Sequence, residues 1–148
     1  MKKTDKPIFQ DFHIEGVEHI APQHAYELIT KNEAVLIDVR EMDEVKAEGI
    51  DMEGVLYHPM SAILDRLKYI SKNQKIILAC PGGVRSSKVA NLLNRFDYPD
   101  VANLDGGMMQ WKVQGLPYKV YLKISAGAGC GCGCNSETDS LLNGKSCC

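Results

Sequence analysis

Four short, unbroken apolar runs punctuate the chain: "AVLIDV" (Ala34 to Val39), "GVLYHP" (Gly54 to Pro59), "KIILAC" (Lys75 to Cys80) and "DVANLD" (Asp100 to Asp105). Each is bounded by turn-forming or charged residues, and runs of this length without polar alternation suit strands covered on both faces of a parallel sheet. Between them the apolar residues take up helical spacing, in "PQHAYELITK" with Pro22 at a first helical position, "REMDEVKAE", "SAILDRLKYIS" and "SSKVANLLNRF". "VEHI", just before the first of these, predicts a short edge strand. Strands alternating with helices predict an α/β fold with a mainly parallel sheet flanked by helices on both faces. In open sheets of this kind ligands bind beyond the carboxyl ends of strands, and Cys80 falls at such an end.

After "LPYKVYLKI" the pattern stops. "SAGAGCGCGCNSETDSLLNGKSCC" is rich in Gly, Ser and Cys and has too few large apolar side chains to add to a packed core. The boundary is placed near Ile124, which gives an N-terminal extension over 1–15, a folded domain over 16–124 and a flexible Cys-rich C-terminal tail over 125–148. The Gly and Cys alternation of the tail is the one low-complexity feature.

A length of 148 residues fits one ordinary domain with a core of its own. With 17 basic and 19 acidic side chains the formal charge is −2, which disfavours nucleic acid and anionic membrane surfaces as partners. Asp5, Lys6 and Pro7 interrupt the place where a signal peptide would need its apolar stretch, and no run has the length to span a bilayer. A soluble, cytoplasmic protein is the expectation. The six cysteines are not spread to staple a fold, since Cys80 stands alone and the other five cluster near the C-terminus.

The lone cysteine has a distinctive setting. In "IILACPGGVRSSKVANLL" a buried strand delivers Cys80 to a loop with Gly82 and Gly83, and a helix is predicted to begin near Ser86. Small residues let the backbone curl so that the N–H groups of Gly82, Gly83, Val84, Arg85, Ser86 and Ser87 face one anion, while Pro81 has none to donate and shapes the turn. The helix N-terminus adds partial positive charge and Arg85 a full one. Such surroundings favour thiolate over thiol and make Cys80 a candidate nucleophile. An inert core cysteine needs no anion-binding loop after it.

"CPGGVRS" is similar to the CxxGxRS active-site loop of rhodanese-like single-domain sulfurtransferases, "LIDVRE" resembles their LIDVR segment, and "LDGGMMQWKVQGLP" resembles their LxGGxxxWxxxGxP signature. The three occur in the family's order over roughly Ile20 to Pro117. The resemblance implies a five-stranded parallel sheet and a ping-pong sulfurtransferase in which Cys80 carries a persulfide. The loop amides would cradle that persulfide, and Arg85 would bind the donor's anion or brace the loop. Asp38 and Arg40 would support the loop, and Gly106, Gly107 and Trp111 would serve turn and packing. In place of the family's GHIxGA segment the chain has "EGIDMEGVLYHP", with Gly54 and Pro59 retained and Asp51 where the His would fall. His58 reads as a structural or surface residue, and His13, His19 and His24 have no partners by spacing.

The implied partners are a small anionic sulfur donor such as thiosulfate, polysulfide or a persulfide, and a thiol acceptor; catalysis would require no cofactor. Related folds host thiol-dependent phosphatases and arsenate reductases, whose CxxxxxR loops place the arginine six positions after the cysteine; here position 86 is Ser and Arg85 comes one earlier. The shorter loop suits a single sulfur atom. A non-catalytic binding module is a further alternative, weakened by the retained cysteine and arginine. In the tail, Cys130, Cys132, Cys134, Cys147 and Cys148 offer thiolates for zinc or copper(I), or a thiol relay that takes the persulfide from Cys80.

Overall fold

The computed structural model describes residues 1–121. Along the chain it places β1 (His19–Ile20), α1 (Pro22–Thr30), β2 (Val35–Asp38), α2 (Met42–Ala47), β3 (Glu48–Ile50), β4 (Val55–Tyr57), α3 (Ile63–Arg66), β5 (Ile76–Ala79), α4 (Val84–Arg95), β6 (Val101–Leu104), α5 (Gly107–Val113) and β7 (Tyr118–Val120). The four strands predicted from apolar runs and the edge strand predicted from "VEHI" form one sheet in the order β1-β6-β5-β2-β4, and every neighbouring pair is parallel. No helix among the described residues is long and apolar enough to cross a membrane.

The alternation hidden inside the apolar runs sorts side chains between two cores. Ile37, Ile76, Leu78 and Cys80 point to one face with Val89, Ala90 and Leu93 of α4 and Ile63 of α3. Leu36, Ile77 and Ala79 point to the other, against Ala25, Leu28 and Ile29 of α1 and Met108 and Trp111 of α5. Each fully buried Leu or Ile contributes about 1.5–3 kcal/mol. This double covering is why the strands read as continuous apolar runs instead of alternating ones.

Three elements depart from the sequence expectations. The predicted helix over "SAILDRLKYIS" is reduced to the single turn of α3 between 3-10 turns at Met60–Ala62 and Leu67–Tyr69. "REMDEVKAE" stops being helical at Ala47 because Glu48, Gly49 and Ile50 pair antiparallel with β7, a second small sheet that the apolar pattern does not show. Helix α4 begins at Val84, two residues before the predicted start, because Gly83 takes a left-handed conformation and turns the chain into the helix. Residues ahead of β1 lie on the domain: Thr4 bridges to His19, and the amides of Ile8 and Phe9 donate to the Asp105 carboxylate.

Candidate active site: the loop around Cys80

Cys80 follows the last residue of β5 and is buried, with 1% of its surface exposed. Its Sγ accepts the Gly83 N–H at 3.1 Å and the Ser86 N–H at 3.4 Å, and lies 3.2 Å from Ser86 Oγ. These donors converge because Gly83 adopts φ +91°, a left-handed turn open to glycine and strained for side chains. A second glycine closes the loop from the other side. Gly107, at φ +64°, lets the start of α5 approach so closely that an added Cβ would stand 2.5 Å from the carbonyl oxygens of both Cys80 and Pro81. Those carbonyls accept the amides of Met108 at 2.9 Å and Met109 at 3.0 Å.

Of the residues Gly82 to Ser87, Gly83 and Ser86 bring amides to the sulfur. The amide of Ser87 instead donates to Gly83 O within α4, and its hydroxyl donates to the same oxygen at 2.6 Å, so Ser87 braces the loop from behind. Gly82 and Val84 stand on the rim, beside Phe9, Phe12 and Met109 at a shallow cavity. Arg85 reaches across to α2, where its Nη1 and Nη2 donate to the two oxygens of Glu44 at 2.7 and 2.8 Å. Hydrogen bonds from Arg85 hold the Glu44 carboxyl well below its ordinary range, at about 2.

Asp38 ends β2 beside Ala79, and its carboxylate receives Nε and Nη2 of Arg40 at 3.0 and 2.8 Å. Both side chains are buried. The same Nη2 donates to Glu48 O at 2.7 Å, which fastens β3 to the base of the site. His58 is 9% exposed and its Nδ1 has no hydrogen-bond partner; burial, with Arg66 nearby, lowers its basicity. Cys130, Cys132, Cys134, Cys147 and Cys148 lie outside the described residues. Among the described residues no group of three or more His, Cys, Asp or Glu side chains is placed to hold a metal ion.

Four residues that the sequence reading left without a role join the site through one buried polar chain. Gln10 Oε1 accepts the Gly106 amide at 2.9 Å, which identifies it as the oxygen, and its Nε2 donates to Phe12 O at 2.8 Å. The Asn103 atom 3.0 Å from Gln10 Oε1 is therefore a donor, Nδ2, and its other N–H faces His19 Nδ1 at 3.1 Å. His19 thus accepts at Nδ1 and carries its proton on Nε2, 3.0 Å from His13 Nδ1. On the remaining side Asn103 Oδ1 faces the Ser86 hydroxyl that touches Cys80. His19, Asn103 and Ser86 are fully buried, and burial lowers the basicity of His19.

The model of the family described as "Rhodanese-like domain" matches residues 21–114. A tRNA uridine(34) hydroxylase of Rickettsia massiliae is 31% identical over 98 residues, which is 64% of this chain and 40% of that protein. The chain therefore spans well under half the length of the curated relatives it matches. Among solved structures, a rhodanese-like domain protein from Staphylococcus aureus aligns at TM-score 0.56 with 30% identity over 63% of this chain and 89% of its own. A polysulfide-sulfur transferase homodimer from Wolinella succinogenes aligns at TM-score 0.60 with 27% identity, covering 68% of this chain and 77% of that one.

Proposed function

The chain belongs to the rhodanese-like domain family, and from that premise we propose that it is a sulfurtransferase that moves sulfane sulfur to a thiol acceptor through a persulfide on Cys80. The observation that carries the reading is the convergence of two backbone amides and one hydroxyl on the Cys80 sulfur. The two amides are fixed by the fold before the reaction and stabilise a sulfur anion without reorganising, the same preorganisation that an oxyanion hole supplies in acyl transfer, and the hydroxyl joins them by turning its one proton. The thiolate attacks the outer sulfur of the donor, the bond between that sulfur and its carrier breaks, and the carrier leaves with the electron pair. A thiolate acceptor then attacks the persulfide's outer sulfur and restores Cys80. The cycle needs no cofactor and no general base.

A thiol phosphatase or arsenate reductase fits the same loop less well. The amides close on the sulfur atom itself, and Arg85 is engaged by Glu44 instead of standing free to wrap a tetrahedral oxyanion. The named relatives suggest a tRNA-directed hydroxylation as a rival, but the shared stretch is 40% of their length and this chain carries a formal charge of −2. The proposed partners are therefore small sulfur donors and thiols, in a reducing cytoplasm. Steady-state transfer of sulfur to a dithiol tests the reading. Parallel double-reciprocal plots, with turnover abolished in Cys80→Ser, are expected; activity that survives that substitution contradicts it.

A further inference from the structure

Among the described residues, three cations beside the Cys80 loop are already matched. Arg40 is paired with Asp38, Lys112 with Glu48 at 3.2 Å, and Arg85 with Glu44 through both arms of the guanidinium. Glu44 does not sit there by accident of rotamer. It occupies the third position of α2 and its Oε2 also accepts the Glu41 amide at 3.1 Å in a capping box, so the first turn of the helix aims the carboxylate at Arg85. Held at about 2 by Arg85, the carboxylate stays charged at any pH where the protein works.

Beside the loop, against Pro81, lies a cavity of about 300 Å³ between α2 and α5. Ala47, Pro81, Met108 and Met109 give it apolar surface, beside Tyr118 and four charged residues that are each paired, Arg40 with Asp38, Glu44 with Arg85, and Glu48 with Lys112. The two cations that line it, Arg40 and Lys112, are both paired, so a small dianion entering here finds a further cation at Arg85 only by competing with the lining carboxylate Glu44. A donor with an apolar body has a surface to bury and less charge to desolvate.

We infer that Glu44 selects the sulfur donor: by occupying Arg85 beside an apolar cavity, it favours a sulfane-sulfur donor with one negative charge and an apolar body, the class of organic persulfides and thiosulfonates, over the dianion thiosulfate. The inference rests on the sulfur-transfer reading. For an organic persulfide the balance is simple. The Cys80 sulfur bonds to the donor's outer sulfur, the donor's own S–S bond breaks, and the departing thiolate takes the proton that Cys80 gives up. No oxidant or reductant enters.

The test compares benzenethiosulfonate with thiosulfate as donors to the full-length protein and to Glu44→Gln, which keeps the capping hydrogen bond of α2. Wild type is expected to favour benzenethiosulfonate in kcat/KM. In Glu44→Gln that preference falls by about fivefold, the scale of one partly exposed ion pair, through a lower KM for thiosulfate. A preference unchanged by the substitution, with Cys80 still loaded by both donors, overturns the role of Glu44 and leaves sulfur transfer standing. Intact mass showing no sulfur on Cys80 from either donor overturns both.

Discussion

Asn103 holds the proton of the Ser86 hydroxyl. Because Gln10 fixes the Asn103 amide with its nitrogen outward, Oδ1 faces Ser86 and is an acceptor only, so the single hydroxyl proton points to Asn103 and the oxygen lone pairs face Cys80 Sγ at 3.2 Å. While the sulfur carries a proton, Ser86 is therefore an acceptor. When the sulfur becomes an anion, rotating that one proton from Asn103 to Sγ turns the same hydroxyl into a donor.

The first prediction concerns this rotor. Ser86→Ala removes one of the donors available to a sulfur anion while leaving both amides in place. Hydrogen bonds to charged groups are worth about 1.5–3 kcal/mol, so sulfur loading of Cys80 should slow by about tenfold or more. The midpoint of the pH–rate profile should also move up. Stopped-flow loading across pH reads both, and an unshifted profile would remove Ser86 from the chemistry.

His19 supplies a second. Burial pushes it below its ordinary value, so in the window beneath about pH 6.5 the unfolded chain binds a proton that the folded one refuses. Its stability contribution is full above that pH and declines as the pH falls. His58 shifts in the same direction, so the contribution of His19 is isolated by substitution. His19→Gln keeps an acceptor for Asn103 and should flatten the pH dependence of the unfolding free energy by up to about 1.4 kcal/mol per pH unit. Denaturant titrations at pH 7 and pH 5 that give wild type and His19→Gln the same loss of unfolding free energy would show that His19 protonates freely in the fold.

Gly107 provides a third. An alanine there must adopt φ +64° and place Cβ 2.5 Å from two carbonyl oxygens of the catalytic loop. The backbone strain alone costs about 1–3 kcal/mol, and the contact with fixed backbone adds to it. Chemical denaturation of Gly107→Ala should show at least that loss, together with slower loading of Cys80. Wild-type stability would mean that α5 can retreat from the loop.

Much of this architecture is legible in the sequence, for reasons that particular residues make clear. β2 and β5 announce themselves because strands covered on both sides are apolar throughout, as in Ile76–Ala79, where all four residues are fully buried, while β6 reads as apolar around one buried Asn103 and the edge strand β4 as an apolar run whose Leu56 and Tyr57 are exposed. The loop is legible because Cys80, the glycines and Arg85 are neighbours in the chain. What escapes is what depends on distance along it. Gln10 meets Asn103 across 93 positions and His19 meets it across 84, and no period or motif links them. Glu44 and Arg85 are 41 apart, so the sequence shows the arginine without its carboxylate. β3 and β7 are three residues each, and the pairing that creates them is a tertiary event.

The central claim is that Cys80 carries transferable sulfur, and intact-protein mass spectrometry with peptide mapping tests it most directly. Full-length protein is mixed with a sulfane-sulfur donor, cleared of excess, weighed, and then exposed to a thiol. The account predicts a gain of about 32 Da, mapped to Cys80, absent in Cys80→Ser and discharged by the thiol. No gain, or a gain confined to the cysteines of the tail, would contradict it.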